Sequence, residues 1–223
     1  DAYWESVSIE AAHSRIHTPA FNLGGWFDMF LRGTLRNYTG MRENAPTDIA
    51  RNGQKLIVGP WIHGAMLHTQ AGHSNFGAVA QIVLEELHMR WFDHWLRDRD
   101  TGIDREPPVR VFTVGANRWH DFDAWPPKEA ILTPYFLHSN GSANTARGDG
   151  ALTTSAPAAD EQPDRLIYDP LNPVPTRGGG NFVSPSDVPA GQFDQAPVEQ
   201  RQDVLCYTSA ALPDDLEIAG PVE

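Results

Sequence analysis

The sequence predicts an α/β fold followed by a β fold, with parallel strands and helices in the first half and a β-sandwich in the second. Three observations predict it. Two short apolar runs of strand length are separated by a helical spacing of apolar residues, the pattern of a right-handed βαβ unit and a parallel sheet. A long amphipathic pattern follows over residues 77–99. After Pro107-Pro108 the chain changes to short β-branched runs separated by Pro, Gly, Asp and Asn, spaced as in a sandwich. The division into domains is therefore drawn at residues 1–107 and 108–223.

Residues 19–25, Pro-Ala-Phe-Asn-Leu-Gly-Gly, are a short apolar run closed by two glycines and read as a buried strand. Residues 29–38 carry apolar side chains at 30, 31, 35 and 38, a helical spacing. Residues 54–59, Gln-Lys-Leu-Ile-Val-Gly, lie between Gly53 and Pro60 and read as a second buried strand. Over residues 77–99, Val79, Val83, Leu87, Trp91 and Trp95 recur at every fourth position beside Ile82, Leu84, Phe92 and Leu96. Arg97 and Arg99 close that pattern, where cations favour the helix macrodipole. Past Pro108 the strand candidates are 109–114, 132–137, 166–168, 203–207 and 216–218. Residues 139–164, rich in Gly, Ala, Ser, Thr and Asp, read as a long loop.

The 223 residues are 40% hydrophobic and 21% charged, which excludes wholesale disorder. A chain of this size buries roughly 70% of its unfolded surface, enough for one large core or two small ones. No apolar run reaches the roughly 20 residues that span a bilayer. Residues 1–10 are acidic and aromatic and lack the pattern of a secretory leader. The net charge of −12, without a Lys/Arg cluster, makes nucleic acid and anionic membrane poor partners. The single cysteine, Cys206, supports no disulfide-built extracellular fold, and a cytoplasmic location is expected. The chain lacks an initiator Met and ends in mid-pattern at 216–223, as an internal piece of a longer protein would.

In parallel sheets function collects at the carboxyl ends of strands. The first strand candidate runs on into Gly24-Gly25-Trp26-Phe27-Asp28, and the second ends Gly59-Pro60-Trp61-Ile62-His63-Gly64. Each is followed by one titratable side chain, an Asp and then a His. This is the tail of the Ser…Asp…His chain order of α/β-hydrolases. The chemistry needs such a pair: the His takes a proton from a serine hydroxyl, and the carboxylate fixes its tautomer and stabilises the imidazolium. Plainer roles stay open at this point, Asp28 as the N-cap of the following helix and His63 as an ordinary loop residue.

Leu23-Gly-Gly-Trp-Phe-Asp28 and Val58-Gly-Pro-Trp-Ile-His-Gly64 resemble the acid and histidine motifs of the CocE/NonD hydrolases, a family of esterases, α-amino-acid ester hydrolases and X-Pro dipeptidyl-peptidases. Phe76-Gly77 and Arg90-Trp-Phe-Asp-His-Trp-Leu96 are similar to that family's last catalytic-domain helix. Val109-Arg-Val-Phe-Thr-Val-Gly-Ala-Asn-Arg-Trp119 and Trp125-Pro-Pro127 are similar to the entry into its C-terminal β domain. Tyr168-Asp-Pro170, Gly178-Gly179 and Asp203-Val-Leu-Cys-Tyr-Thr-Ser209 continue the match, so the resemblance covers essentially the whole chain. It implies the C-terminal part of an α/β-hydrolase domain over 1–107 and a truncated jelly-roll over 108–223. It also implies a serine hydrolase of carboxylic esters or amides working through an acyl-enzyme, with Asp28 as triad acid and His63 as triad base. No metal or organic cofactor is implied. The partners are a small-molecule ester or amide substrate, and either the remaining N-terminal part of the same protein or a second copy of the chain.

The family's nucleophile elbow, G-x-S-x-G upstream of the acid, is absent, as is its oxyanion-hole tyrosine, so the fragment alone is expected to be inactive. Gly72-His-Ser-Asn-Phe-Gly77 is the nearest lookalike, but its second glycine is one residue too far and it follows His63; it reads as the entry to the long helix, with Ser74 or Asn75 as a cap. The α-amino-acid ester hydrolases place acidic residues just after the acid, to hold the substrate ammonium. Met29, Phe30 and Leu31 stand there instead, which argues for an ester without an obligatory α-amine. His63, His68 and His73 lack zinc-site spacing, and His88 and His94 read as packing or surface residues. Asp121 and Asp123 beside Trp119 and Trp125 suggest either sugar binding or an inter-domain contact, Gly178-Gly-Gly180 a turn, and Cys206 a small core residue. The competing reading of the whole chain is a non-catalytic β module that binds carbohydrate or protein.

Overall fold

The computed structural model describes residues 2–64, 68–181 and 188–222. The chain forms two units, Asp1–Lys128 with Gly178–Gln192 and Ala219–Glu223, and Glu129–Arg177 with Phe193–Ile218. In outline this is a mixed sheet with helices, followed by a β unit.

The first unit opens with helix α1 (Ala2–Val7) and a 3-10 turn (Ile9–Arg15). Strand β1 (Phe21–Phe27) leads through α2 (Leu31–Asn44) and the short α3 (Asp48–Asn52) to β2 (Lys55–Ile62). β1 and β2 are parallel neighbours. The two-residue strands β3 (Gln70–Ala71) and β4 (Ser74–Asn75) follow, then α4 (Leu84–Arg97). Strand β5 (Val109–Thr113) pairs parallel with β2, and β6 (Arg118–Phe122) pairs antiparallel with β5, giving the order β1-β2-β5-β6. β2 has a neighbour on both edges and is buried along nearly its whole length, as its unbroken apolar run requires. Side chains of alternating parity face opposite ways. Leu56, Val58, Val109 and Val111 pack with Tyr38 of α2 and Trp125, and Phe112 packs with Ala71, Phe76 and Ala80.

The boundary drawn at 107/108 does not coincide with this division. Pro107 and Pro108 are bonded to β2. The Pro108 carbonyl accepts the Leu56 N–H at 2.8 Å and the Pro107 carbonyl accepts Lys55 Nζ at 3.0 Å. The pair leads into β5, a position that tolerates the missing donor of proline.

The helix expected over 77–99 is regular only over Leu84–Arg97, after a 3-10 turn at Ala78–Ala80. Tryptophans account for the loss of its first turns. Trp119 Nε1–H donates to the Val79 carbonyl at 2.7 Å and Trp61 Nε1–H to the Ala80 carbonyl at 2.9 Å. These carbonyls would otherwise serve the helix ladder. Arg97 and Arg99 both pair with Asp93, at 3.0 and 2.9 Å, and hold its carboxyl below the usual range.

In the second unit, β7 (Phe136–His138) pairs antiparallel with β8 (Ala151–Thr153), and α5 (Ala196–Glu199) is a single turn. Residues 203–208 make only isolated bridges, Leu205 to Asn144 and Thr208 to Ala151. Residues 166–168 and 216–218 are not strands. The segment 139–164 read as a plain loop is instead tied down by polar groups. Asp164 accepts from Tyr207 Oη at 2.6 Å, Ser139 Oγ at 2.7 Å and the Ala143 N–H at 2.9 Å. Its carboxyl is held low by these bonds, that of Tyr207 first, and the Tyr207 phenol is pushed up to about 12.

Candidate active site

Asp28 and His63 leave adjacent parallel strands at the same level because of a bulge. Gly25 stands opposite Gly59, but Phe27 stands opposite Ile62, so β2 carries one extra residue at Pro60-Trp61. Proline cannot donate to the ladder, and a bulge is where a strand accommodates it. Gly25 allows this geometry, since a Cβ there would run into the Trp61 carbonyl. The extra residue matters because a one-residue slip reverses the direction of every side chain beyond it.

The result is a short contact: His63 Nδ1 lies 2.9 Å from Asp28 Oδ2. A carboxylate only accepts, so Nδ1 carries the proton, and Nε2 is left as the basic nitrogen of the neutral ring. The other oxygen of Asp28, Oδ1, accepts the Phe30 N–H at 2.8 Å, while its main-chain carbonyl accepts the Leu31 N–H at 3.1 Å. Asp28 is not the N-cap of α2, which is Phe30 without a side-chain cap; it closes a turn ahead of the helix with one oxygen and holds His63 with the other. The carboxylate is sheltered, its side chain 14% exposed, whereas the imidazole is 43% exposed. A shielded carboxylate beside an accessible imidazole suits a base that must meet a substrate. Gly180 sits against the Asp28–Met29 main chain; a Cβ on it would lie 3.3 Å from the Asp28 carbonyl.

The remaining candidates have other employment. Ser74 lies in β4 and its hydroxyl donates to Gln192 Oε1 at 2.8 Å. Neither it nor Asn75 caps α4; Asn75 Oδ1 instead accepts the Gly77 N–H at 2.9 Å. His88 packs edge-on against Phe21 and His94 against Trp95. Among the described residues no group of three His, Cys, Asp or Glu is placed to hold a metal ion. Asp121 forms a two-pronged pair with Arg110 across β5 and β6, at 2.7 and 2.8 Å. Trp119 packs on Trp61 and Phe112, and Trp125 is buried against Trp26, so these rings are part of the first unit's packing. Gly178 and Gly179 take positive φ angles, and Gly179 exchanges both main-chain bonds with Gly191, an antiparallel bridge between two bends rather than a turn. Cys206 is half-buried and its thiol is pushed up by burial, then by Glu199. Sequence reasoning missed the Phe30 N–H that aims the carboxylate; the Asp-x-Phe spacing of an Asx turn is its only local signal.

A model of the X-Pro dipeptidyl-peptidase C-terminal non-catalytic domain matches residues 101–223, and one of X-Pro dipeptidyl-peptidases of the S15 family matches residues 1–65. Cocaine esterase of Rhodococcus sp. (strain MB1 Bresler) is 35% identical over 225 residues, covering 100% of this chain and 37% of that protein. The crystal structure of an aminopeptidase from a marine sediment archaeon, Thaumarchaeota archaeon, matches 93% of this chain and 33% of its own at a TM-score of 0.68 and 24% identity, a likeness of fold alone. A CocE/NonD family hydrolase of Staphylococcus aureus matches 70% of this chain and 23% of its own at a TM-score of 0.43 and 17% identity. The chain thus spans about a third of the length of such relatives.

Proposed function

The chain belongs to the CocE/NonD hydrolase family, and from that premise we propose that it is the acid- and base-bearing part of a serine hydrolase of carboxylic esters or amides. The observation that carries the reading is the 2.9 Å contact between Asp28 Oδ2 and His63 Nδ1. A serine upstream of this chain attacks the substrate carbonyl while His63 Nε2 takes its proton. A tyrosine, also upstream, helps hold the oxyanion. His63 then returns the proton to the leaving alcohol or amine, and the acyl-enzyme is hydrolysed by water through the same base. Asp28 keeps Nδ1 protonated and stabilises the imidazolium of each step.

In this reading residues 1–107 are the C-terminal part of an α/β-hydrolase domain and residues 108–223 belong to a jelly-roll. Met29 and Phe30, each half-exposed beside the dyad, favour esters without an obligatory α-amine. The single cysteine supports a reducing compartment, the cytoplasm. The test uses the whole protein. It should hydrolyse p-nitrophenyl esters and be labelled by a fluorophosphonate at a serine upstream of Asp1, and His63→Ala should abolish both. The fragment alone should do neither. Stoichiometric labelling of Ser74 would overturn the reading.

A further inference from the structure

The dipeptide Asn-Gly occurs twice in the sequence, at Asn52-Gly53 and at Asn140-Gly141. In such a pair the glycine nitrogen can attack the asparagine side-chain carbon, because the following residue has no Cβ to stand in the way. The fold treats the two pairs differently. Asn52 is the last residue of α3, and a helical side chain points back toward the helix N-terminus, away from the next nitrogen. The Gly53 N–H is held by the Ile49 carbonyl at 2.8 Å. A Cβ on Gly53 would meet that carbonyl at 2.7 Å and the Trp95 ring at 2.8 Å, so the turn is closely packed. Freeing this nitrogen takes the opening of a helical turn.

Asn140 is exposed, in the connection between β7 and β8. Its carboxamide makes no hydrogen bond among the described residues. Gly141 has a φ of 87°, in the left-handed region, and open space where a Cβ would stand. Its N–H donates to the Ser139 hydroxyl at 3.0 Å, a bond that one side-chain rotation releases. We propose that Asn140 is a site of spontaneous succinimide formation, made reactive by the fold, and that its modification unties the polar network of the second unit. Hydroxide takes the Gly141 proton and the nitrogen forms a bond to Asn140 Cγ. The Cγ–Nδ2 bond breaks, and Nδ2 leaves as ammonia with a proton from water. Water then opens the ring at either carbonyl, to aspartate or isoaspartate. Ser139 is the link to the network: its N–H donates to Glu161 Oε1 at 3.1 Å and its hydroxyl to Asp164 Oδ2 at 2.7 Å. The Asn140 N–H donates to Asp149 Oδ2 at 3.0 Å. Isoaspartate inserts a methylene into the main chain ahead of Gly141, which draws its N–H off Ser139, and sets a second carboxylate beside Asp149, where like charges repel.

The experiment ages the whole protein in mildly alkaline buffer, folded and in urea. Each asparagine is followed by peptide mass spectrometry, with fragmentation that separates aspartate from isoaspartate. In the folded protein Asn140 should convert at least about tenfold faster than Asn52. In urea the two rates should converge to within about threefold, because the dipeptide is the same. Equal rates in the folded protein overturn the proposal. A tenfold ratio that persists in urea overturns it too, since the difference would then lie in the sequence and not in the fold. Asn140→Gln, whose longer side chain must close a larger ring, should stay unmodified. Ageing should lower the thermal midpoint of the wild type by about 2 °C or more and leave that of Asn140→Gln in place. An equal loss in both overturns the link from Asn140 to the network.

Discussion

Replacing Asp28 with asparagine separates the two tasks of this residue. Oδ1 accepts the Phe30 N–H at 2.8 Å and Oδ2 accepts the His63 Nδ1–H at 2.9 Å. Asparagine keeps the shape but has one oxygen. The Phe30 amide is a fixed donor, so the amide oxygen takes its place there and the NH2 group faces His63. The imidazole must then accept at Nδ1 and carry its proton at Nε2, the tautomer that cannot take a proton from serine. The opposite orientation sets two donors against each other at Phe30, at a cost of about 1–3 kcal/mol, a bias of about five- to 150-fold toward the unproductive form. Loss of the carboxylate charge removes the stabilisation of the imidazolium as well. Together these should lower turnover by about 10⁴. The asparagine oxygen keeps the bond from the Phe30 N–H, so the thermal midpoint should move by no more than about 2 °C. The assay is turnover of a p-nitrophenyl ester by the whole protein, with melting followed by circular dichroism, for Asp28→Asn, His63→Ala and the double variant. Because the two side chains act as one unit, the double variant should be about as inactive as His63→Ala alone. More than about a tenth of wild-type turnover in Asp28→Asn, at an unchanged midpoint, would leave Asp28 the acceptor of a turn ahead of α2 and refute its role as acid.

Two further outcomes follow from the packing and the polar ties. Trp61→Phe leaves the buried Ala80 carbonyl without its donor and opens space at a fully buried site, so urea unfolding should show a loss of about 2–4 kcal/mol. The second unit should be most resistant to heat between about pH 4 and 6.5, the ordinary values of free Asp and His. Asp164 is held low, so its contribution is in place above the unfolded Asp value and is lost as pH falls through the folded one. His138 faces two acceptors, the Ser155 carbonyl at 2.8 Å and Glu161 Oε2 at 2.9 Å, and is held high by them, that carbonyl first. Its contribution is full below the unfolded His value and is lost as pH rises through the folded one. Scanning calorimetry from pH 3 to 8 checks both limbs, and His138→Gln should flatten only the alkaline one.

The parallel pair and the meeting of Asp28 with His63 were legible because they rest on local signals. Two buried runs, each ended by glycine and one titratable residue, specify strand, turn and site together. What could not be read was the register. The bulge at Pro60-Trp61 shows only when β1 and β2 are paired, because it is a difference in count between two strands. The same holds for the first turns of the long helix. Val79 and Val83 keep the helical spacing, yet the chain around them unwinds where an indole 19 residues before Ala80 and another 40 residues after Val79 claim the carbonyls of these two residues. Local pattern had no knowledge of those donors.

The second half was legible only in part, for the opposite reason. Its β-branched runs were counted as strands, but a strand exists only against a partner, and sequence spacing does not supply one. Ile131, Leu132, Ile167, Leu171 and Ile218 are strongly exposed, so these runs lack the burial that would make alternation hold them in a sheet. Order there comes from charge and hydroxyl groups instead, through Asp164 reaching residues 21, 25 and 43 positions away. The candidate at 109–114 found partners in β2 and in β6, a strand the sequence reading did not name, and so became the continuation of the first unit's sheet. The same change in composition at Pro107-Pro108 that suggested a domain boundary therefore marks the entry of a strand that flanks β2, the strand that delivers His63. Trp26, just ahead of Asp28, donates from Nε1 to the Phe112 carbonyl at 2.7 Å, so β5 also fixes the approach to the acid. Strands from both sides of position 107 thus flank Asp28 and His63.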